Sequence, residues 1–250
     1  IIGRLVGSEM CIRDRHYSVH TVKSYDLDLQ ALAVFMEACN LAPHSMTKKE
    51  CRKFVSQRFD QQLSAKSIAR SISTFRHFWS FLQIRQYVSL NPWKQLRLPK
   101  VSRVLPAIIS PKKMIAFLDS FDCSSKLGLR NRCICECLYG MGLRVSELCD
   151  LKMGDLSLEL GECRVLGKGN KVRIAVFGEI TKQILQQYFD HVRSGLAVNK
   201  VEYVFLNSRG KPLTVRTVQR VVKSASIKQG ISPPLTPHVL RHCYASDLYK

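Results

Sequence analysis

Three short clusters in the second half of the sequence hold the side chains from which chemistry could be built. They are Gly142-Leu143-Arg144-Val145-Ser146-Glu147-Leu148, Gly167-Lys168-Gly169-Asn170-Lys171 and His238-Val239-Leu240-Arg241-His242. Singly each is ordinary: an arginine after glycine is a common surface residue, a basic turn is usually just a turn, and a histidine with an arginine makes a polar helix face. Order and spacing carry the signal, with Arg144 and Lys168 24 residues apart and His238 and Arg241 one helical turn apart. A phosphodiester broken without a metal needs fixed cations to stabilise charge on its non-bridging oxygens. Guanidinium does this with paired donors and no risk of deprotonation, and Arg144 and Arg241 fit that role. The departing oxygen must also gain a proton, which a lysine on a mobile hairpin can deliver when neighbouring cations lower its pKa.

The elements that must hold these groups are mostly helices. Ser110-Pro111 reads as a cap with proline at the first helical position, followed by helices around 114–121 and 129–139, the latter ended by Gly140 and Gly142. A short helix is expected over 145–151. Cys163, Val165, Lys171, Arg173 and Ala175 lie in two short segments around Gly167-Lys168-Gly169-Asn170, a β-hairpin with its turn. Helices fit 180–192 and 214–229, the second packing Val215, Val218 and Val222 while Arg216, Arg220 and Lys223 form a basic stripe. Thr236-Pro237 starts the helix that carries His238, Arg241 and His242.

Ahead of these lies a second set of helices. Val22, Tyr25, Leu29, Leu32 and Met36 recur at helical spacing. Thr47 and Glu50 make a capping-box pair ahead of Cys51, Phe54, Val55 and Phe59. Between Ala65 and Gln86, Ile68, Ile72, Phe75, Trp79 and Leu82 share one face, opposite Lys66, Arg70, Ser73 and His77. Asn91-Pro92, Pro99 and Pro106 then punctuate a basic stretch without helical period, which reads as a linker over 91–106 between a first domain at 17–90 and a second at 107–250. Residues 1–16 fit no element and read as a non-native leader.

Charge points to the partner. Lys and Arg number 39 against 19 Asp and Glu, a formal net charge of +20, which implies a polyanion, nucleic acid first. From Gln61 to Leu118 there is no acidic residue, while Lys66, Arg70, Arg76, Arg85, Lys94, Arg97, Lys100, Arg103, Lys112 and Lys113 all fall there. A short basic run is usually a solvated surface, but an acid-free span across a domain boundary reads as a clamp on DNA. Charges interrupt every hydrophobic segment, so no membrane span is expected. The ten cysteines, in a chain this long and without a secretory signal, read as reduced, in a cytoplasmic protein. Cys133, Cys135 and Cys137 alternate without the spacing of a zinc site and are read as small buried hydrophobes, so no metal is expected.

Taken together, the three clusters resemble the tyrosine recombinase, or phage integrase, family over residues 17–250. Val218-Gln219-Arg220 and Ile227-Lys228-Gln229-Gly230, leading into the His238 helix, look closest to the bacterial Xer recombinases, the XerC type in particular. The resemblance implies a mainly α, two-domain DNA clamp: a helical, SAM-like core-binding domain, then an α-rich catalytic domain with a small β-hairpin sheet. It implies metal-independent, cofactor-free cleavage and rejoining of DNA through a 3′-phosphotyrosyl intermediate, by a homo- or hetero-tetramer on a double-stranded recombination site. Arg144, Lys168, His238 and Arg241 are then the catalytic set, with Lys168 the general acid and His238 on the same phosphate. Glu147 orients Arg144, and His242 supports helix packing. Lys66, Arg70, Arg76, Lys94, Arg97, Lys100, Arg103, Arg216 and Arg220 are the expected DNA contacts.

Two features depart from the pattern. In the family the nucleophilic tyrosine follows a further His or Trp, downstream of the His-x-x-Arg-His helix; Tyr244 and Tyr249 lie on that helix, too near to match, and neither is read as the nucleophile. The expectation is a sequence cut before its nucleophile, inactive as it stands, in a reading frame that continues past Lys250. Asp247 stands where Xer sequences usually carry histidine. The process expected is Xer-like chromosome dimer resolution; the alternatives are a mobile-element integrase and a DNA-binding module without catalysis.

Overall fold

A computed structural model describes residues 19–100, 109–167, 171–196 and 201–248. Lys168 and Arg103 lie outside them, as do the expected leader at 1–16 and Tyr249. The chain divides into two compact units, Ile1–Val104 and Leu105–Lys250.

The first unit is built on α1 (Val19–Ala38), α2 (Lys48–Asp60) and α3 (Ala65–Ile84). Thr47 caps α2 as its sequence predicts. Its hydroxyl accepts from the Lys49 N–H at 3.2 Å, and the Glu50 carboxylate accepts from the Thr47 N–H at 3.1 Å. Leu29, Leu32 and Met36 of α1 cluster with Phe75, Trp79 and Leu82 of α3 in the buried interior. Asp28 is the polar exception there: it is buried, and accepts from the hydroxyls of Ser71 at 2.8 Å and Thr74 at 3.2 Å and from Arg70 at 3.1 Å. Residues at the start of the expected linker pack into this unit: Pro92–Gln95 form a 3₁₀ turn that drives Trp93 to full burial, 4.6 Å from Phe75 and 5.8 Å from Trp79 between ring centroids. One tryptophan in a short turn leaves no periodicity to read, although its large ring dominates the packing around it.

The second unit contains α4 (Pro111–Asp119), α5 (Lys126–Gly140), α6 (Val145–Asp150), strands β1 (Leu156–Ser157), β2 (Glu162–Leu166) and β3 (Val172–Val176), then α7 (Glu179–Tyr188), α8 (Val215–Lys228) and α9 (Pro237–Leu248). The sheet is antiparallel in the order β1-β2-β3, with Cys163 opposite Ala175 and Val165 opposite Arg173. The hairpin is where the sequence puts it, while the two-residue β1 is too short for alternation to reveal. After an exposed first turn, helix α5 runs through the core, with residues 133–138 consecutively buried. That is why Cys133, Cys135 and Cys137, which cannot share one helix face, are all fully buried. Burial raises the Cys135 and Cys137 thiols well above their usual range. The chain is mainly α with one small antiparallel sheet, as the resemblance implies. Among the described residues no helix is long and apolar enough to cross a membrane.

Candidate active site

Gly142 makes the turn between α5 and α6 with φ of +58°, a conformation that favours glycine. A Cβ there would also collide with the Tyr244 ring of α9. This close approach lets α9 lie against the turn, and Arg241 of α9 donates to the Gly142 carbonyl. Two residues on, Arg144 is the N-cap of α6, and its backbone N–H donates to Glu147 Oε2 at 2.8 Å. Glu147 thus closes the first turn of its own helix and faces inward.

Three guanidinium groups converge on this one carboxylate. Arg144 Nη1 donates to Glu147 Oε1 at 2.7 Å, Arg173 Nη2 donates to Oε2 at 2.6 Å, and Arg241 Nη1 stands 3.5 Å from Oε2. The Glu147 side chain is 3% exposed, against 28% for Arg241, 35% for Arg173 and 51% for Arg144, so the carboxylate lies beneath a rim of cations. Three positive charges against one negative leave a surplus of two, directed at solvent. Burial works to raise the Glu147 pKa. Hydrogen bonds from the Arg144 backbone and guanidinium and from Arg173 outweigh it, and the carboxyl is held below its ordinary value. Burial, then the neighbouring Arg144, lowers the pKa of Arg241, and Glu147 opposes them. Arginine stays protonated through any such shift, so the site is a fixed cationic cup, and the described residues hold no cluster of three or more His, Cys, Asp or Glu that could bind a metal. The cup fits an anion carrying two or more oxygens, such as a phosphodiester.

Arg144, Glu147 and Arg241, separate in sequence, are therefore one site. His238 lies one turn before Arg241 on α9, exposed and with no hydrogen-bond partner among the described residues. His242 is half-buried on the same helix. Lys168 lies outside the described residues, but the hairpin base beside it is fixed: the Gly167 N–H donates to the Lys171 carbonyl at 2.7 Å. Asp247 accepts from the Tyr139 hydroxyl at 3.0 Å, tying α9 to α5, and burial first, then this bond, pushes the Tyr139 pKa up to about 12.

Arg173 is the site residue that the sequence reading placed in the hairpin and left out of the catalytic set. The signal was its alternation. On β3 Val172, Ile174 and Val176 face outward, while Arg173 and Ala175 face inward. An arginine on the inward face of a strand calls for a carboxylate, and the three apolar residues beside it disguise which face is inward.

The expected DNA contacts fall into two kinds. Lys66, Lys94, Arg97, Lys100, Arg216 and Arg220 are exposed and have no carboxylate partner among the described residues. Arg70 is half-exposed and paired with buried Asp28. Arg76 donates to the carbonyls of Trp93 at 3.1 Å and Leu96 at 2.6 Å, so its guanidinium fastens the Trp93 turn to α3. Arg103 lies outside the described residues.

Residues 110–250 match the Phage integrase family, and residues 8–86 match the Phage integrase N-terminal SAM-like domain, beginning inside the stretch set aside as a leader. The chain belongs to the phage integrase family. Relatives of this integrase-family chain include the tyrosine recombinase XerC of Oceanobacillus iheyensis, 34% identical over 94% of this chain and 78% of that protein. The tyrosine recombinase XerD of Listeria monocytogenes is also 34% identical, over 95% of this chain and 81% of its own length. The fold is that of a crystal structure of XerH site-specific recombinase bound to palindromic difH substrate, with TM-score 0.77 and 22% identity over 96% of this chain and 71% of that one. A lambda integrase dimer bound to a COC′ core site matches with TM-score 0.76 and 20% identity, over 98% of this chain and 87% of the other.

Proposed function

We propose that the protein is a site-specific tyrosine recombinase that cuts and rejoins duplex DNA without metal or cofactor. The observation that carries this is the convergence of Arg144, Arg173 and Arg241 on buried Glu147, in a chain of the phage integrase family. Arg144 and Arg241 bind the two non-bridging oxygens of the scissile phosphate and stabilise the charge that builds there. His238 adds a donor from the same helix. A tyrosine oxygen attacks phosphorus as its hydroxyl proton passes to solvent, the bond to the 5′ oxygen breaks, and Lys168 gives that oxygen its proton. The phosphotyrosyl link conserves the bond energy, so reversal needs no external energy source. We assign the nucleophile to none of Tyr139, Tyr188 and Tyr244 of the second unit: Tyr244 covers Gly142, Tyr139 bonds Asp247, and Tyr188 is fully buried.

The first unit is a core-binding and the second a catalytic domain, each of which contacts DNA, and a tetramer exchanges strands in sequence. Xer relatives at 34% identity over most of both chains favour chromosome dimer resolution, in the cytoplasm, over mobile-element integration. The test uses the protein as its gene encodes it, offered a nicked duplex carrying its recombination site, in the presence of EDTA. The expected product is a detergent-stable protein–DNA adduct at a 3′ phosphate with a free 5′ hydroxyl. Binding without any adduct would leave a DNA-binding module, and a metal requirement or a 5′ adduct would refute the mechanism.

Affinity and chemistry reside in different residues. Lys100→Ala or Lys66→Ala should weaken binding to all duplexes alike and reduce the slope of log affinity against log salt by about one unit for each phosphate left without its cation. Arg76→Ala should instead lower thermal stability, because its donors are spent on backbone carbonyls. Salt titrations of the variants check this, and a parent protein whose affinity ignores salt would sink the basic-clamp reading.

A further inference from the structure

Arg173 takes no part in the cleavage steps assigned to Arg144, Arg241, His238 and Lys168, yet it makes the shortest ion pair in the site, 2.6 Å to Glu147 Oε2. Its own Nε is buried and finds no acceptor among the described residues, which offsets part of what the ion pair contributes to folding.

A carboxylate oxygen has two lone pairs, and the Glu147 oxygens are unequally occupied. Oε1 takes Arg144 Nη1 at 2.7 Å. Oε2 takes the Arg144 backbone N–H at 2.8 Å and Arg173 Nη2 at 2.6 Å, which fills it. Arg241 Nη1 is left at 3.5 Å, the outer limit of a hydrogen bond, and donates to the Gly142 carbonyl instead. Without Arg173 the second lone pair of Oε2 is open, and the nearest donor is Arg241. An arginine drawn into a full ion pair with a buried carboxylate has turned its fork away from any phosphate.

We infer that Arg173 is a positioning residue for strand cleavage: by occupying Glu147 Oε2 it keeps Arg241 off the carboxylate and its donors directed at the scissile phosphate. A second consequence follows from its place on β3. The same ion pair pins the base of the β2–β3 hairpin to α6, so hairpin and arginine site share one anchor. The inference rests on the recombinase reading and extends it to a residue that acts through another.

The test is a double-mutant cycle in the protein as its gene encodes it, reading single-turnover cleavage rate, duplex affinity and thermal midpoint. Arg173→Ala should slow cleavage about tenfold to a hundredfold, less than the loss of a direct donor, with duplex affinity unchanged. Arg173→Lys, which keeps a charged donor for Oε2, should recover most of the rate. In a Glu147→Gln background, Arg173→Ala should add little further loss, because two residues that act through the same interaction are not additive. A purely structural role would lower the thermal midpoint and slow both backgrounds equally. Should Arg173→Ala fail to fold, Arg173→Gln takes its place, with slowed cleavage expected where Arg173→Lys is not slowed. Wild-type cleavage by Arg173→Ala, or an undiminished effect in the Glu147→Gln background, would overturn the inference. A parent protein that forms no DNA adduct would overturn the recombinase reading itself, a result distinct from either.

Discussion

Arg144→Ala and Arg241→Ala should each leave duplex affinity nearly intact and slow strand cleavage about a hundredfold to a thousandfold, the usual cost of one preorganised donor at a developing charge. On the proposed reading, binding is spread over many phosphates on exposed lysines and arginines outside the cup, so a single cation at the scissile position supplies only a small part of it. The charge that builds on the non-bridging oxygens has no such reserve. Folding should survive both changes. With Arg241 gone, Glu147 keeps Arg144 and Arg173; with the Arg144 side chain gone, it keeps the Arg144 backbone N–H and Arg173. Arg241→Lys should be almost as slow as Arg241→Ala, because a single ammonium cannot hold the Gly142 carbonyl and present a fork to phosphate together. Gel-shift affinity and single-turnover cleavage on the same duplex separate the two effects. An arginine variant that binds and cleaves in proportion would show that the cup is a binding patch, not a catalytic one.

Much of this site was legible because its parts are local. Gly142 before Arg144, Glu147 one turn further on, and His238 with Arg241 on one face are each readable from spacing within a few residues. So were the Thr47–Glu50 cap and the apolar stripe of α3. What escaped depends on interactions between distant residues. Glu147 could be read as a partner of Arg144, three residues away, but not as the common anchor of Arg173 and Arg241, which lie 26 and 94 residues on. Trp93 escaped because a four-residue turn carries no period, and Arg76 because an arginine in an acid-free basic span looks free until its acceptors are known. Charge composition identifies the polyanion, whereas the side chains that touch it depend on which cations the fold has already spent.

The proton donor gives the sharpest contrast with the arginines. Lys168→Ala should slow cleavage of an ordinary phosphodiester by a factor in the upper part of the about hundredfold to ten-thousandfold range of general acid–base catalysis. An alkoxide leaves poorly at neutral pH without a proton, and no other amine is assigned to deliver one. A duplex with sulfur in place of the 5′ bridging oxygen changes that demand, because a thiolate is stable at neutral pH and departs unaided. On this substrate Lys168→Ala should regain much of the parent rate, while Arg144→Ala and Arg241→Ala should stay slow, since charge on the non-bridging oxygens is unaffected by the leaving atom. The hairpin supports the assignment: its base is closed by Gly167 and Lys171, and Arg173 on its second strand bonds the carboxylate shared with both arginines. The strands that flank the Lys168 turn are thus tied to Glu147 through Arg173. Arg173→Ala should stay slow on the sulfur substrate, because Arg173 acts through Arg241; recovery there would mean that it chiefly holds the lysine hairpin instead. Equal rescue of Lys168→Ala and the two arginine variants, or no rescue of Lys168→Ala, would show that the proton comes from another group.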